Sequence, residues 1–260
     1  MTLGAIQQTI GNAISAIEYY EQALPISRVV YGDRHPDVAT YLNNTGSAWD
    51  NLGEHKKAIG YYEQALSIDT EVYGERHPTV ATYLNNIGLA WHVLGEHEKA
   101  MKYYEQALSI RKDVYGDHHP DVATTLNNIG GVWHDLNKPR KAIEYYEQPL
   151  LIGRDVYGDK HPAVARNLNN IGSSWHQLGK PRKAIEYYEQ ALSIDRDVYG
   201  GRHPAVATDL NNIGMAWRAL GDLRRASTCL QQAYTIFQEF YGDGHPSTRN
   251  VKELLDALNK

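Results

Sequence analysis

The residues best placed to do chemistry in this sequence are its histidines. There are 12 in 260 residues. Six stand before proline, at His35-Pro36, His77-Pro78, His119-Pro120, His161-Pro162, His203-Pro204 and His245-Pro246. A second column runs His92, His134 and His176. Imidazoles could hold zinc at about 2.1 Å, but only if several converge on one point. These recur once every 42 residues, and packed helices of successive units stand about 10 Å apart, too far for shared ligation. The His-Pro histidines therefore read as ends of loops and caps of the helices that follow. The second column reads as surface that meets solvent or a partner, and no metal site is expected.

Other chemistry is thinner. Cys229 is the one cysteine. It has no partner for an intrachain disulfide and no identifiable histidine and acid beside it for nucleophilic catalysis. The glycines of the recurrent "YGD" stretches end helices rather than begin them, so they do not make a phosphate-binding loop. Acidic residues such as Glu63 recur on a solvated face. No catalytic residue and no cofactor is expected.

What positions these residues is a repeat. "LNN" begins at Leu42, Leu84, Leu126, Leu168 and Leu210, each 42 residues after the last. Trp49, Trp91, Trp133, Trp175 and Trp217 keep the same spacing, as does "YYEQ" from Tyr19, Tyr61, Tyr103, Tyr145 and Tyr187. A fixed period of about 20–50 residues marks an array whose units stack on their neighbours. Net charge is −5 and the isoelectric point near 6.2, so no basic field draws nucleic acid or anionic lipid. No apolar run nears the roughly 20 residues of a membrane span, and the opening residues do not read as a secretion signal. A cytoplasmic protein is the expectation.

Each unit reads as two helices. In the second full unit Pro78 suits a first turn, and Val80, Leu84, Ile87, Gly88, Trp91 and Leu94 form one apolar stripe. Gly95 ends this helix A in the left-handed cap conformation, with equivalents at Gly11, Gly53, Asn137, Gly179 and Gly221. Helix B follows, with Ala100, Tyr104, Ala107, Leu108 and Tyr115 on one face and Gly116 at its end. Gly46, Gly88, Gly130, Gly172 and Gly214 lie inside helix A, where glycine costs about 1 kcal/mol against alanine. Facing Ala58, Ala100, Ala142, Ala184 and Ala226, they imply close approach of two backbones, with tryptophan and tyrosine filling the space beside it.

This order of a large residue, glycine, an aromatic and glycine in helix A, then alanine, tyrosine and alanine in helix B, resembles the tetratricopeptide repeat. The long period, with "HPTVATYLNNIG" and "YYEQALSI", resembles the kinesin light chain family and its bacterial relatives. The resemblance covers essentially the whole chain. It implies an all-α solenoid of antiparallel helix pairs, a right-handed superhelix whose helices A line a concave groove.

In that frame, residues 1–35 are a partial N-terminal repeat, a truncated helix A plus a helix B. Five full repeats fill 36–245, and 246–260 form a capping helix. The opening inside a helix A suggests a chain cut from a longer array, with Gln7 at the tryptophan position. Ile6, Ile10 and Ile14 would then leave an apolar end open to end-to-end self-association. Pro25 and Pro149 fall inside helices B and predict kinks there.

On a helical wheel the asparagine pairs fall opposite the core stripe. Asn43, Asn85, Asn127, Asn169 and Asn211 are expected to point into the groove and hold a ligand backbone, since an amide both donates and accepts. Asn44, Asn86, Asn128, Asn170 and Asn212 lie toward the next repeat's helix A and are expected to bond that neighbour. Around these constant amides the side chains vary. One turn on stand Ser47, Leu89, Gly131, Ser173 and Met215; a further turn on, Asp50, His92, His134, His176 and Arg218. Arg166 replaces the threonine of Thr40, Thr82, Thr124 and Thr208.

The expected function is a non-enzymatic scaffold that binds a protein or peptide, as an extended segment or a helix, and neither nucleic acid nor membrane. The resemblance implies cargo-peptide binding, with basic groove residues reading acidic, tryptophan-bearing peptides. Here only Arg166 and Arg218 supply such charge, and no heptad segment is present to join a motor chain. The alternatives are a sensor array of a larger signalling protein, such as a bacterial NTPase, and a self-assembling module.

Overall fold

Proline at the head and glycine at the foot set most helix ends in this chain, which a computed structural model describes over residues 3–258, with side chains from Gly11 onward. Among those residues there are twelve α-helices and no strand. α1 is Leu3–Tyr31. The helices A are α2 (Pro36–Asn51), α4 (Pro78–Val93), α6 (Pro120–Asp135), α8 (Pro162–Gln177) and α10 (Pro204–Ala219). The helices B are α3 (His55–Tyr73), α5 (His97–Tyr115), α7 (Pro139–Tyr157), α9 (Pro181–Tyr199) and α11 (Leu223–Tyr241), and α12 (Pro246–Leu258) closes the series.

Each corner into a helix A is built the same way. The histidine before the proline is extended, and its Nδ1 accepts from the backbone N–H two residues on: Asp37 to His35 at 3.2 Å, Thr79 to His77 at 3.3 Å, Ala163 to His161 at 3.1 Å. That satisfies one donor at a helix start, where four lack intrahelical acceptors. The imidazole also stacks on the last tyrosine of the preceding helix, as His119 does on Tyr115 with ring centroids 4.1 Å apart. At the other ends the chain turns through a left-handed residue. Asn137, with φ of 56°, stands where the other repeats have glycine.

Residues Gln7–Val132 form one compact unit and Trp133–Lys260 build a second. In the first, α2 packs on α3, α3 on α4 and α4 on α5; in the second, α7 on α8, α8 on α9, α9 on α10, α10 on α11 and α11 on α12. Consecutive helix pairs stack in this way as an α-solenoid, held by alanine, valine, leucine and isoleucine from both helices of each pair. The glycines inside helices A make room mainly for a tyrosine ring. A Cβ at Gly88 would lie 2.8 Å from Tyr104 Cδ1, and one at Gly46 2.7 Å from Tyr62 Cε1 and 3.2 Å from the Ala58 carbonyl oxygen. Close backbone approach is thus real but secondary to the ring. The tryptophans are only half buried, and a cation covers each: Lys57 over Trp49, Lys99 over Trp91, Lys141 over Trp133, Lys183 over Trp175 and Arg225 over Trp217.

The N-terminal segment corrects the sequence reading. α1 is one helix that runs on through Gly11, which is not left-handed, so no truncated helix A turns back there. The sequence around the break differs: Asn12-Ala13-Ile14-Ser15 replaces the charged turn seen as Glu54-His55-Lys56-Lys57. Without tryptophan and lysine to clamp a turn, continuing the helix keeps its hydrogen bonds for about the 1 kcal/mol that glycine costs. Ile14 is exposed; the side chains of Ile6, Gln7 and Ile10 lie outside the described residues. The helices also continue unbroken through Pro25 and Pro149.

Candidate functional site

The paired asparagines build a ladder. Asn86 Nδ2 donates to Asn43 Oδ1 at 3.1 Å, Asn128 Nδ2 to Asn85 Oδ1 at 3.1 Å, and Asn212 Nδ2 to Asn169 Oδ1 at 3.5 Å. Each rung joins the helices A of successive repeats. Two expectations change. The second asparagine bonds the preceding repeat, not the next. The first does not stand open: its carbonyl is already an acceptor, and Asn85 is 7% exposed. The wheel places a residue around its own helix but cannot show the neighbouring helix that covers it.

The last rung lacks its far end. Asn211 Oδ1 is buried without a hydrogen-bond partner, and the position in α12 that would supply an amide holds Leu254. Asn44 accepts from Asn43 Nδ2 at 3.4 Å. Asn127 and Asn170 are half buried on the same face.

The variable side chains stand one and two turns beyond the first asparagines on the same helices. Leu89 and Val93, one turn apart on α4, are exposed apolar residues. His92 lies edge-on to His97, with centroids 5.6 Å apart. Asp50 is held by His55 Nδ1 at 2.6 Å. In the second unit His134 Nε2 meets Ser173 Oγ at 3.1 Å, and Gln177 Nε2 donates to the His134 carbonyl at 3.1 Å. Burial lowers the pKa of the His176 imidazole. Met215 and Gly131 are half buried, while Ser47, Arg166 and Arg218 are exposed. Thr40, Thr82, Thr124 and Thr208 turn their hydroxyls back onto the carbonyl of the proline that opens their own helix, at 3.0–3.2 Å. This is a back-bond within their own helix.

A column that sequence reading missed lies inside the repeat junctions. Asp69 on α3 accepts from the Tyr83 hydroxyl at 2.9 Å. One repeat on, Arg111 Nη1 donates to Thr125 Oγ1 at 2.7 Å and to the Asp121 carbonyl at 2.9 Å. In the second unit Asn167 lies opposite Gly153, and Asp209 opposite Asp195. All of these side chains are buried. So one core position per helix varies along the array, and the residues it pairs across a junction differ from one junction to the next, although the rest of the core hardly changes. The signal was in the sequence, in the alignment of Tyr83, Thr125, Asn167 and Asp209. Ion pairs on the outside repeat too: Arg34 with Glu71, Arg76 with Asp113, and Lys160 with Asp197 at 2.8 Å.

Among the described residues no group of three or more histidine, cysteine, aspartate or glutamate side chains is placed to hold a metal. No helix there is long and apolar enough to cross a membrane. Cys229 is half buried, and burial raises its thiol pKa.

The family model for the tetratricopeptide repeat matches residues 1–64, 50–113, 92–150, 150–197 and 176–239. The chain belongs to the tetratricopeptide-repeat family. Proteins built from tetratricopeptide repeats are generally scaffolds rather than enzymes. Among solved structures, the chain is similar to BtubC (BKLC) from P. vanneervenii, at 22% identity and a TM-score of 0.72 over 93% of each chain. It is similar to the repeats of a putative kinesin light chain from Podospora anserina, at 19% identity and a TM-score of 0.67, over 79% of this chain and 98% of that one. It is also similar to the apo form of the quorum sensor NprR from B. thuringiensis, at 18% identity and a TM-score of 0.72, over 98% of this chain and 69% of that one. At such identities the likeness is one of fold. Comparison with curated protein sequences gives no match.

Proposed function

We propose that this tetratricopeptide-repeat chain is a non-enzymatic scaffold that binds a peptide or protein segment on its helix-A face. The observation that carries the reading is the pairing of a constant element with a variable one. Asn43, Asn86, Asn128, Asn170 and Asn212, one in each full repeat, are half buried on that face, while Leu89, His92, Arg166, Met215 and Arg218 change around them. An amide has two N–H donors and two acceptor lone pairs, and one rung uses one position on each partner. The ladder therefore keeps hydrogen-bonding capacity toward an extended backbone. Net bonds of about 0.5–1.5 kcal/mol each, several in a row, suit micromolar affinity. The variable side chains select what that backbone carries.

NprR, named as a quorum sensor, has the same fold, and the face described here suits a signalling peptide as well as a segment of a larger partner. The net charge of −5 argues against nucleic acid.

The test is a selection of peptides from a displayed random library, followed by calorimetric titration. Leu89→Asp in the first unit or Arg218→Glu in the second, both at exposed positions, should weaken the selected peptides at least tenfold and leave the melting temperature unchanged. Glu63→Lys, on helix α3, should leave binding as it is. Peptides that respond to Glu63→Lys but to neither helix-A variant would overturn the reading.

A further inference from the structure

One repeat junction buries two acids against each other. Asp195 on α9 and Asp209 on α10 face one another within hydrogen-bonding reach, 6% and 0% exposed. The corresponding junctions pair unlike groups, such as Asp69 with Tyr83 and Arg111 with Thr125. The charged or titratable groups bearing on the acid pair are Arg196 on α9 and His203 at the corner between α9 and α10. α8 contributes the neutral amide of Asn169, whose Nδ2 donates to Asp209 Oδ1 at 2.5 Å. α11 packs on α10 through Leu230 and Ala233. Asp209 Oδ2 is shut away from solvent with no hydrogen-bond partner.

Asn169 is also a member of the asparagine ladder. Its rung with Asn212 is 3.5 Å long, against 3.1 Å for both rungs of the first unit. The amide that elsewhere serves the ladder is here pulled toward the acids. Two ionised carboxylates so placed would repel each other and lack water, so a proton held between them is the arrangement of least cost.

We propose that the Asp195–Asp209 pair is a proton-dependent latch on the α9–α10 junction. With the proton in place the two carboxyls share it and the pair is closed. With the proton gone the carboxylates repel, and α10 loosens against α9 and against its ladder rung. Burial raises Asp209 to about 7 against the pull of the Asn169 hydrogen bond, and Asp195 adds to the rise. The folded-state value lies above that of an unfolded aspartate, about 3.9. The folded chain thus keeps a proton that the unfolded chain has lost. The stability this gives is full below the unfolded value and is lost as pH rises toward 7. The latch closes in mild acid and opens in mild alkali.

Asp209→Asn removes the charge and keeps the shape, and Asn167 shows that asparagine fits the same position one repeat earlier. Melting temperatures of wild type and Asp209→Asn are compared between about pH 5 and pH 8, the window over which the linkage acts. The variant should melt level with or just below wild type at the acid end and several degrees above it at the alkaline end. The difference cancels the histidines and other groups common to both proteins. A gap that stays constant across the range would overturn the latch. Carbon-13 NMR of wild-type carboxyl groups gives a reading that needs no Asp209 variant. One aspartate should titrate near neutrality, together with the side-chain amide of Asn169, and Asp195→Asn should shift that titration. If no carboxyl titrates above about pH 5, in the ordinary aspartate range, the proposal fails.

Discussion

The side-chain amide of Asn128 donates to Asn85 Oδ1 across the gap between two successive repeats, at 3.1 Å. Both ends of this rung therefore hold the array together. Asn85→Ala and Asn128→Ala are each expected to lower unfolding stability by about 0.5–1.5 kcal/mol, the net worth of one hydrogen bond, less what alanine returns in helix propensity. In urea titrations the double variant should lose less than the sum of the two. If Asn85→Ala left stability level while Asn128→Ala lowered it, the rung would not be a bond that matters.

The His-Pro corners give a second outcome. His77 Nδ1 caps α4, and its ring stacks on Tyr73 at 4.4 Å. His77→Ala should cost about 1 kcal/mol for the cap, with a further loss from the stack. His77→Asn restores the cap alone, so thermal melting should place it between the alanine variant and wild type.

The same substitution at two helical glycines should have opposite signs. At Gly88 a new methyl group meets the Tyr104 ring at 2.8 Å, while at Gly60 nothing lies within 4 Å. Gly60→Ala should stabilise by about 0.5–1 kcal/mol through backbone entropy. Gly88→Ala should destabilise by about 1–3 kcal/mol, because the ring is fully buried and must shift. Chemical denaturation distinguishes the two, and a stabilising Gly88→Ala would refute the packing account.

Tyr83→Phe removes the donor that Asp69 holds in the junction between α3 and α4. Burial raises the Asp69 pKa, and the tyrosine hydrogen bond restrains that rise. The variant should lose about 1–3 kcal/mol at neutral pH, where the carboxylate is charged and short of a partner. The loss should shrink as pH falls and Asp69 takes up a proton. Urea titrations of both proteins at neutral and at mildly acid pH check this, and an undiminished loss in acid would contradict it.

Much of the fold was legible because local rules and the period agreed. Pro78 and Gly95 bracket α4, Pro120 opens α6, and Asn137 marks its own left-handed turn. The break at Gly11 was misread, since a glycine permits a turn but does not compel one without the packing that closes it. The candidate site was legible as a set of residues and not as a geometry. A wheel gives the azimuth of Asn85 on α4 but not the neighbouring helix that reaches its carbonyl. Asp69, Arg111 and Asp209 were passed over because a charged residue alone in sequence reads as solvated. Their burial comes only from the helix of the adjacent repeat.

The individual pairs at the repeat junctions bear on how such a gene can change. Tandem copies of nearly identical sequence are prone to lose or gain a unit when they recombine out of step. A loss of one unit between Asp69 and Arg111 would set Asp69 against Thr125 in place of Tyr83, and a loss between Gly153 and Asp195 would set Gly153 against Asp209. Each joint would then close on a mismatched or missing group in a water-free interior. The buried pairs thus act as addresses written into otherwise interchangeable copies, and they tie the present number and order of units to the stability of the whole chain.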